Sequence, residues 1–496
     1  MVNLFTLIYS LKKTTQLFPC LYGLKTKRPY IYIKSLMWSI SACKQNVKLS
    51  IFQLIQLYSI FRSLFSLDSQ RRFLKMISRR ADPLESMHLV APCCTQLVLE
   101  LEDKKYVPEI LQKLEKYVVA LHVKSDGNNL VHHEKKPEIF EIPKSITTFS
   151  DIAEWHFDNH TLPQKEAMAS LAVRDNIISI NCDHLCGDGG YLKTIVENIV
   201  KDGQPNPEPL PISAYELVGK SLHQYENSNY TYYSHAKDIS RIFPKLKPDK
   251  KASRGLFEVC SSKIKDLTCY MKNGEQKGKV KGLTEALWAA FTLSIAAYND
   301  KLDPCGLCTV VDMRRYIPNG YLYNHWNMCQ YVSHILTYAN INEKQNVTDL
   351  TRQMRESLNK GFNEGCHYKT MVTLKKMATE PHILEPVPGK ATALSNVGPI
   401  FVKRPINDIF MSVIASNDEL NGMSLLTYST VCDNHENDKV YSEFAYSDAD
   451  FSRADALLLN ASVDFSLRNV GFETPISEAL EMIKHFQKTY KNKYIL

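Results

Sequence analysis

The most informative stretch of this chain is NIISINCDHLCGDGGYLKTIVENIV (residues 176–200). Its first residues alternate between apolar and polar, which predicts a strand with His184 on the same face as Ile178. A glycine-rich turn (187–190) follows, and residues 191–200 then carry an apolar stripe at helical spacing. The sequence therefore predicts a strand–turn–helix corner with His184 beside the turn.

His184 is a candidate general base, because a neutral imidazole is the usual proton acceptor near pH 7. The predicted strand fixes its backbone, and the glycines allow a substrate or a second chain segment to approach closely. Asp188 is placed to fix the corner rather than to touch the ring, and if buried it needs a cationic partner. The alternative interpretation is a purely structural pair, since an isolated His-x-x-x-Asp is common by chance.

Composition and motifs argue against several classes of function. The chain has 496 residues, of which 44% are hydrophobic and 23% charged, and this predicts a folded protein of two large lobes. Its net charge is +7, but residues 1–67 hold nine Lys or Arg and no acid. Residues 68–496, with 51 basic and 53 acidic side chains, therefore sum to −2, which argues against a nucleic-acid partner. The sequence has no G-x-S-x-G of serine hydrolases and no phosphate-binding loop.

The basic, apolar extension of residues 1–75 is set apart from the predicted fold, and three interpretations of it stay open. It could be an organelle-targeting segment, because such segments are basic and poor in acids. Import into mitochondria stays open on this interpretation. It could lie on a membrane surface through the apolar run 49–61, which is short for a membrane span. It could also be an upstream start that is seldom used, with the fold beginning near Met76.

Two proline-rich segments, 202–211 and 243–251, mark the boundary between the predicted lobes. The N-terminal lobe spans 76–245 and contains the His184 corner, and the C-terminal lobe spans 246–496. The further predicted elements are strands at 95–102, 308–315, 391–402 and 423–433, a helix at 107–121, and a helix at 284–298 with Thr284 as its N-cap.

Three stretches follow one another in the order of known signatures. They are HLCGDGG (184–190), VDMRRYIPNGYLYN (311–324) and LSNVGP (394–399). In turn they resemble the HxxxDG, V-D-x-R…P…Y-x-x-N and SNxG signatures of the chloramphenicol-acetyltransferase-like superfamily. That superfamily includes peptide-synthetase condensation domains, plant BAHD acyltransferases and fungal alcohol acetyltransferases. The matching positions are His184, Asp188, Gly189, Asp312, Arg314, Pro318, Tyr321, Asn324, Ser395, Asn396 and Gly398.

The chain also departs from some branches of the superfamily. The DFGWG motif of plant BAHD enzymes is absent, and Tyr323 replaces the glycine usual in Y-F-G-N. No carrier-protein or adenylation domain flanks the matched region, which argues against a condensation module of a synthetase. The resemblance is closest in look to fungal alcohol acetyltransferases and to the N-acetyltransferase that detoxifies sphingolipid analogues such as myriocin.

The resemblance implies an α+β fold of two chloramphenicol-acetyltransferase-like lobes with mixed sheets and an active-site tunnel at their interface. His184 would be the general base that lets an alcohol or amine attack an acyl-CoA thioester directly. Asp188 would be structural, in a pair with Arg314. Ser395 and Asn396 would lie near the tunnel, where a developing oxyanion needs donors.

The implied co-substrate is acetyl-CoA, with no metal, and the implied acceptor is a small hydrophobic alcohol or amine, including sphingolipid-like amines. We expect a monomer that associates peripherally with a membrane. The expected location is its cytoplasmic face, at the endoplasmic reticulum or a lipid droplet, since 13 scattered cysteines favour a reducing compartment. Two alternatives stay open: a non-catalytic binding member of the same fold, and a condensation-type enzyme that forms amides.

Overall fold

The fold is taken from a computed structural model that describes residues 78–245, 255–271, 280–318, 323–379, 387–415, 422–433, 435 and 437–494. The extension 1–75, including the run 49–61, lies outside the described residues, as do Met76 and Tyr321.

The described residues form a mixture of strands and helices, which confirms the predicted α+β class. The strands are β1 Ser78–Arg80, β2 Cys93–Leu101, β3 Val123–Asp126, β4 Asn129–His132, β5 Ile139–Glu141, β6 Ala169–Arg174, β7 Ile177–Asp183, β8 Arg241–Ile242, β9 Gly255–Lys263, β10 Gly306–Asp312, β11 Val332–Tyr338, β12 Lys390–Val402, β13 Ile406–Ala415, β14 Gly422–Cys432 and β15 Lys439–Ser447. The α-helices are α1 Pro83–Val90, α2 Val107–Tyr117, α3 Phe149–His160, α4 Gly189–Ile199, α5 Ala214–His223, α6 Leu283–Asn299, α7 Val347–Asn363, α8 Cys366–Thr379, α9 Arg453–Asn469 and α10 Ile476–Tyr494.

A five-stranded sheet carries the His184 corner and has the strand order β13-β2-β7-β6-β5. Its central strands β2 and β7 are antiparallel and almost fully buried, as their apolar runs predict. Apolar side chains of α2, α3 and α4 complete its core. The edge strand β13 pairs with β2, so that Ser412 lies opposite Gln96 and donates to its Oε1 at 2.8 Å. Residues 406–415, which fall in the predicted C-terminal lobe, thus complete a sheet built from the first half of the chain.

A seven-stranded sheet organises the second half of the chain in the order β11-β10-β12-β14-β15-β9, with β8 paired to β12. Strands β10, β12 and β14 run parallel, and the other pairs are antiparallel. Helix α6 is buried along nearly its whole length and packs against α7, α9 and α10. Its sequence is apolar all round, which is typical of a helix enclosed by a core. A third, three-stranded sheet has the order β1-β4-β3.

Most predicted elements are confirmed, but the predicted cap of α6 is wrong. The helix predicted at 284–298 begins at Leu283, after Gly282. Gly282 has a φ of +67°, which lies in the left-handed region that glycine adopts at little cost. The hydroxyl of Thr284 accepts a hydrogen bond from the side-chain amide of Asn396 at 3.2 Å instead of capping the helix. The predicted strands correspond to β2, β7, β10, β12 and β14, with ends that shift by a few residues.

In the described part of the chain, no helix combines the length and the apolar character that crossing a bilayer requires.

Candidate active site

Two aspartate side chains cap the backbone on either side of His184. Strand β7 ends at Asp183, whose carboxylate accepts a hydrogen bond from the N–H of Leu185 at 2.9 Å. His184 therefore opens a 3₁₀ turn instead of continuing the strand. Asp188 caps α4 by accepting from the N–H of Tyr191 at 2.8 Å. The backbone on both sides of His184 is thus held by short side chains of its own corner.

The carboxylate of Asp188 is fully buried and fully paired. Its Oδ1 accepts from the N–H of Tyr191 and from Nη2 of Arg314, each at 2.8 Å. Its Oδ2 accepts from the N–H of Tyr331 at 2.6 Å and from Nη1 of Arg314 at 3.1 Å. Two of these donors belong to one guanidinium, a bidentate arrangement that is stronger than neutral hydrogen bonds. The carboxylate does not contact His184 through any of these bonds, so it acts on the backbone around the ring.

Arg314 extends this ion pair to the segment 328–331. Its guanidinium donates to the carbonyl oxygen of Met328 at 2.6 Å and to the carboxylate of Asp312 at 3.1 Å. Burial opposes its charge, but Asp188 and then Asp312 raise the pKa of Arg314 above its ordinary value. One charged side chain therefore binds the corner and segment 328–331 together.

Two glycines of the corner make room for these neighbours. A Cβ atom on Gly189 would lie 2.7 Å from Cγ2 of Val397 on β12. A Cβ atom on Gly190 would lie 2.5 Å from Nη1 of Arg314. Both distances are shorter than van der Waals contact permits in a packed interior. The glycines thus allow two distant chain segments to reach the start of α4.

The imidazole of His184 is held between side chains from two distant segments. Its ring stacks on that of His88, with centroids 4.8 Å apart and planes 6° apart. Nε2 of Gln330 lies 3.3 Å from Nδ1 of His184. Burial lowers the pKa of His184 below its ordinary value, although the charge of Asp188 opposes this shift. The ring is therefore neutral at pH 7, and neither contact uses Nε2.

Two further neutral imidazoles stand near His184. Burial, and then the repulsion that would arise if His88 and His184 were both protonated, lowers the pKa of His88 on α1 well below its ordinary value. Burial, and then the corresponding repulsion between His334 and His184, lowers the pKa of His334 on β11 to about 4. The ring of His334 lies 5.6 Å from that of Tyr233. His334 lies on β11, which begins two residues after Gln330.

Sequence reasoning did not identify His88, Gln330 or His334. For His334, the available signal was the alternation in VSHIL (332–336), whose even-numbered residues share one face of β11. For His88, the capping signature D-x-x-E at 82–85 marks the start of the short helix that carries it. Neither signal indicates which part of the chain these side chains meet.

The predicted oxyanion residues Ser395 and Asn396 lie on β12, which packs beside α4. Asn396 donates to Oγ1 of Thr284 at 3.2 Å, and its Oδ1 accepts from the N–H of Gly398 at 3.0 Å. The carbonyl oxygen of Ser395 accepts from Oγ1 of Thr427 at 3.5 Å. These contacts stabilise an irregularity of β12 between residues 396 and 398. Their role toward an oxyanion stays a prediction.

Asp312 and Asn324, from the second signature, make local contacts. Oδ1 of Asp312 accepts from the N–H of Arg314 at 3.0 Å and so shapes the turn after β10. Asn324 accepts from the N–H of Trp326 at 3.1 Å and donates to the carbonyl oxygen of Asn206 at 2.7 Å. Asp312 therefore shapes the backbone at Arg314, and Asn324 shapes the backbone at Trp326.

Two other features lie apart from this cluster. A cavity of about 360 Å³ is lined by residues of α2, β4 and the segment 206–209, among them Lys116 and His132, and by none of the site residues. Within the described ranges, no three His, Cys, Asp or Glu side chains are grouped so as to hold a metal ion.

The structure is similar to solved structures of one fold. The EpoB cyclization–docking bidomain of a nonribosomal peptide synthetase from Sorangium cellulosum is 12% identical, with a TM-score of 0.54 over 86% of this chain and 94% of that one. The TRI3 trichothecene 15-O-acetyltransferase from Fusarium sporotrichioides is 12% identical, with a TM-score of 0.51 over 80% and 95%. The starter condensation domain of rhizomide synthetase RzmA, in complex with C8-CoA and Leu-SNAC, is 12% identical, with a TM-score of 0.50 over 80% and 92%.

No protein-family model and no curated protein matches the sequence. The likeness to the solved structures shows the fold: the chain has the two-lobed α+β fold of condensation domains and chloramphenicol-acetyltransferase-like acyltransferases, as the resemblance of its three signature stretches implies.

Proposed function

We propose that the protein transfers an acyl group from an acyl thioester of coenzyme A to an alcohol or an amine, with His184 as the general base. The observation that carries this proposal is the neutral imidazole of His184, immobilised by His88 and Gln330 at a corner whose backbone is fixed by Asp188. The fold supports this class of reaction, because it is shared with a trichothecene acetyltransferase and with a condensation domain bound to C8-CoA.

The reaction needs one base and no covalent intermediate on the protein. Nε2 of His184 accepts the proton of the hydroxyl or amine as its oxygen or nitrogen attacks the thioester carbonyl carbon. The C–S bond then breaks, the new C–O or C–N bond remains, and the proton passes from His184 to the departing thiolate. The lowered pKa of His184 suits this role, because only the neutral ring can accept the proton.

We propose acetyl-CoA as the donor and a hydrophobic alcohol or amine, including sphingolipid-like amines, as the acceptor. The SNxG-like stretch 394–399 supports this choice, and the aromatic rings of Tyr232 and Tyr233 lie beside His334. Acceptors of this kind partition into membranes. We therefore also propose peripheral association with the cytoplasmic face of a membrane.

The test is to incubate the full-length protein with acetyl-CoA and either 1-octanol or sphinganine. The free thiol of CoA and the acetylated product, detected by mass spectrometry, are the readouts. The variant His184→Gln should lose transfer, and the matched variant of the exposed His223, His223→Gln, should retain it. Full turnover by a folded His184→Gln protein would overturn the role of the base. Binding of acetyl-CoA without release of thiol would favour the non-catalytic alternative.

A further inference from the structure

We infer that Gln164 is a positioning residue: its side-chain amide joins helix α1 to the His184 corner and so keeps the ring of His88 stacked on the ring of His184. The inference rests on the proposed role of His184 as a base. It concerns a residue outside all three signature stretches, in the connection between α3 and β6.

The side-chain amide of Gln164 lies between the two backbone segments that carry the stacked rings. Its Nε2 donates to the carbonyl oxygen of His88 at 2.9 Å and to Oδ2 of Asp183, the residue before His184, at 2.7 Å. A carbonyl oxygen can only accept, so the nitrogen of the amide, and not its oxygen, must face these two groups. The amide nitrogen has two hydrogens, one for each acceptor, and it therefore links α1 directly to the corner.

Both the amide and its acceptor on the corner are attached to fixed parts of the fold. The carbonyl oxygen of Gln164 accepts from the N–H of Ser125 on β3 at 2.7 Å. Asp183 is buried at the end of β7, and its Oδ1 accepts from the N–H of Leu185 at 2.9 Å. Gln164 therefore acts between anchored points and not as a mobile surface side chain.

The first turn of α1 is held separately, by charged side chains. Asp82 accepts from the N–H of Glu85 and from Oγ of Ser213, each at 2.9 Å. Glu85 is buried and receives the guanidinium of Arg79, with Nη1 at 2.7 Å from Oε2. These bonds hold the start of the helix, and the amide described above holds its last turn.

The stack is the result of this double attachment. Helix α1 packs against the 3₁₀ turn that His184 opens, and the planes of the two imidazoles are 6° apart, with centroids 4.8 Å apart. The ring of His88 thus covers one face of His184, which limits the positions that Nε2 of His184 can take. Misplacing a catalytic group by about 1 Å can cost about 10²-fold in rate. Gln164 therefore influences the reaction without touching a reactant.

The stack can be measured without any acyl transfer. In full-length protein labelled with ¹³C-histidine, the ring current of His88 shifts the ring-proton signals of His184 upfield, and the spectrum of His184→Gln assigns them. His88→Leu removes this ring and should move the signals downfield. Gln164→Leu removes both hydrogen bonds and should move them in the same direction. Gln112→Leu, at an exposed position, should leave them unchanged. If Gln164→Leu does not fold, Gln164→Asn gives the same comparison, because its amide is one methylene too short to reach both acceptors.

The kinetics add a readout that a merely structural residue would not move. The substrates are acetyl-CoA and whichever of 1-octanol and sphinganine is acetylated. Gln164→Leu should lower kcat by about tenfold or more and change KM by less than about twofold, because the base is displaced while the contacts to substrate remain. His88→Phe, which keeps an aromatic ring on His184, should retain most of the kcat that His88→Leu loses. His160→Leu, at a histidine that stacks on Phe140 instead, should keep full kcat.

The outcomes separate this inference from the proposed function. Unchanged signals of His184 in Gln164→Leu, or altered signals with an unchanged kcat, overturn the inference even if acyl transfer is found. Signals of His184 that depend on Gln164, in a protein without any transfer, overturn the proposed function and leave the positioning of the ring by Gln164 in place.

Discussion

The surroundings of Asp188 and the surroundings of His184, which meet at segment 328–331, differ in how completely their polar groups are hydrogen-bonded. On one side, the carboxylate of Asp188 receives four N–H donors and has no exposed surface. On the other, Oε1 of Gln330 and Nδ1 of His334 are buried without a hydrogen-bond partner in the described part of the chain. Unpaired buried polar groups are costly, so they persist where something other than stability maintains them. The difference agrees with the proposed function, in which the Asp188 side would hold the structure and the His184 side would meet reactants.

The sharpest test of this difference is His184→Ala, which should abolish acyl transfer and leave the fold intact. Loss of a general base costs about 10²- to 10⁴-fold in rate, whereas the hydrogen bonds of Asp183 and Asp188 that fix the corner do not involve the ring. In the unsubstituted protein, kcat/KM should stay level as the pH falls from 8 to the ordinary histidine value and decline only below it, because the pKa of His184 is lowered. Steady-state rates across pH and a thermal melt are the measurements. A level profile that breaks above pH 7 would contradict the lowered pKa.

Asp188→Ala should act in the opposite way, mainly on stability. It leaves Arg314 buried without its main partner, and breaking a buried pair costs roughly 3–5 kcal/mol in the free energy of unfolding. The exposed pair of Glu138 and Lys135 offers a control, since Glu138→Ala should cost less than about 1 kcal/mol. Urea unfolding of both variants measures the difference. If Asp188→Ala were as stable as the parent but inactive, Asp188 would belong to the reactive side.

His156, which lies away from the site, should make a smaller and pH-dependent contribution to the free energy of unfolding. Its ring is fully buried between Ser179 and Ser170, at 2.8 and 3.0 Å, and burial lowers its pKa to about 3. In the unfolded chain, the pKa of His156 has its ordinary value of about 6.5. In the folded chain, the ring stays neutral until the pH approaches 3. The stability that His156 contributes is therefore present above pH 6.5 and falls by about 1.4 kcal/mol per pH unit as the pH drops toward 3.

The measurement for His156 is urea unfolding of the parent and of His156→Asn at pH 7, 6 and 5. The gap in the free energy of unfolding between the two proteins should narrow from pH 6 to pH 5. Comparing the two proteins at each pH removes the opposing contributions of Asp82 and Asp183, whose pKa values burial raises to about 7 and about 6. A gap that stays constant with pH would mean that His156 is not held neutral in the folded protein.

The smallest expected effect is that of removing the extension. A protein that starts at Met76 retains β1, which begins at Ser78, and all of the site residues. It should fold and turn over acetyl-CoA like the full chain. Soluble activity and co-sedimentation with lipid vesicles, measured for both proteins, separate a role in chemistry from one in location. Loss of soluble activity on truncation would show that residues 1–75 support the fold.

The sequence predicts the strand, turn and helix of the His184 corner, but it does not predict which side chains surround His184. The strand, the glycine turn and α4 follow from local periodicity within residues 176–200, and α6 follows from an apolar run long enough for a helix. Gln330 lies 146 residues from His184, and no local pattern indicates that the two meet. The cap of α6 was wrong because Gly282 and Thr284 both suit the start of a helix, and only the nearby Asn396 decides between them.

Strand β13 has a consequence for how the protein is made. Ser412 and Gln96 are ladder partners separated by 316 residues. At a synthesis rate of about 5–20 residues per second, β2 waits roughly 15–60 s on the ribosome before the strand that covers its edge emerges. During that interval the nascent chain presents an unpaired, apolar strand edge, the kind of surface that binds chaperones or aggregates. Expression yield should therefore respond to slower translation and to chaperone supply more than the stability of the finished fold suggests.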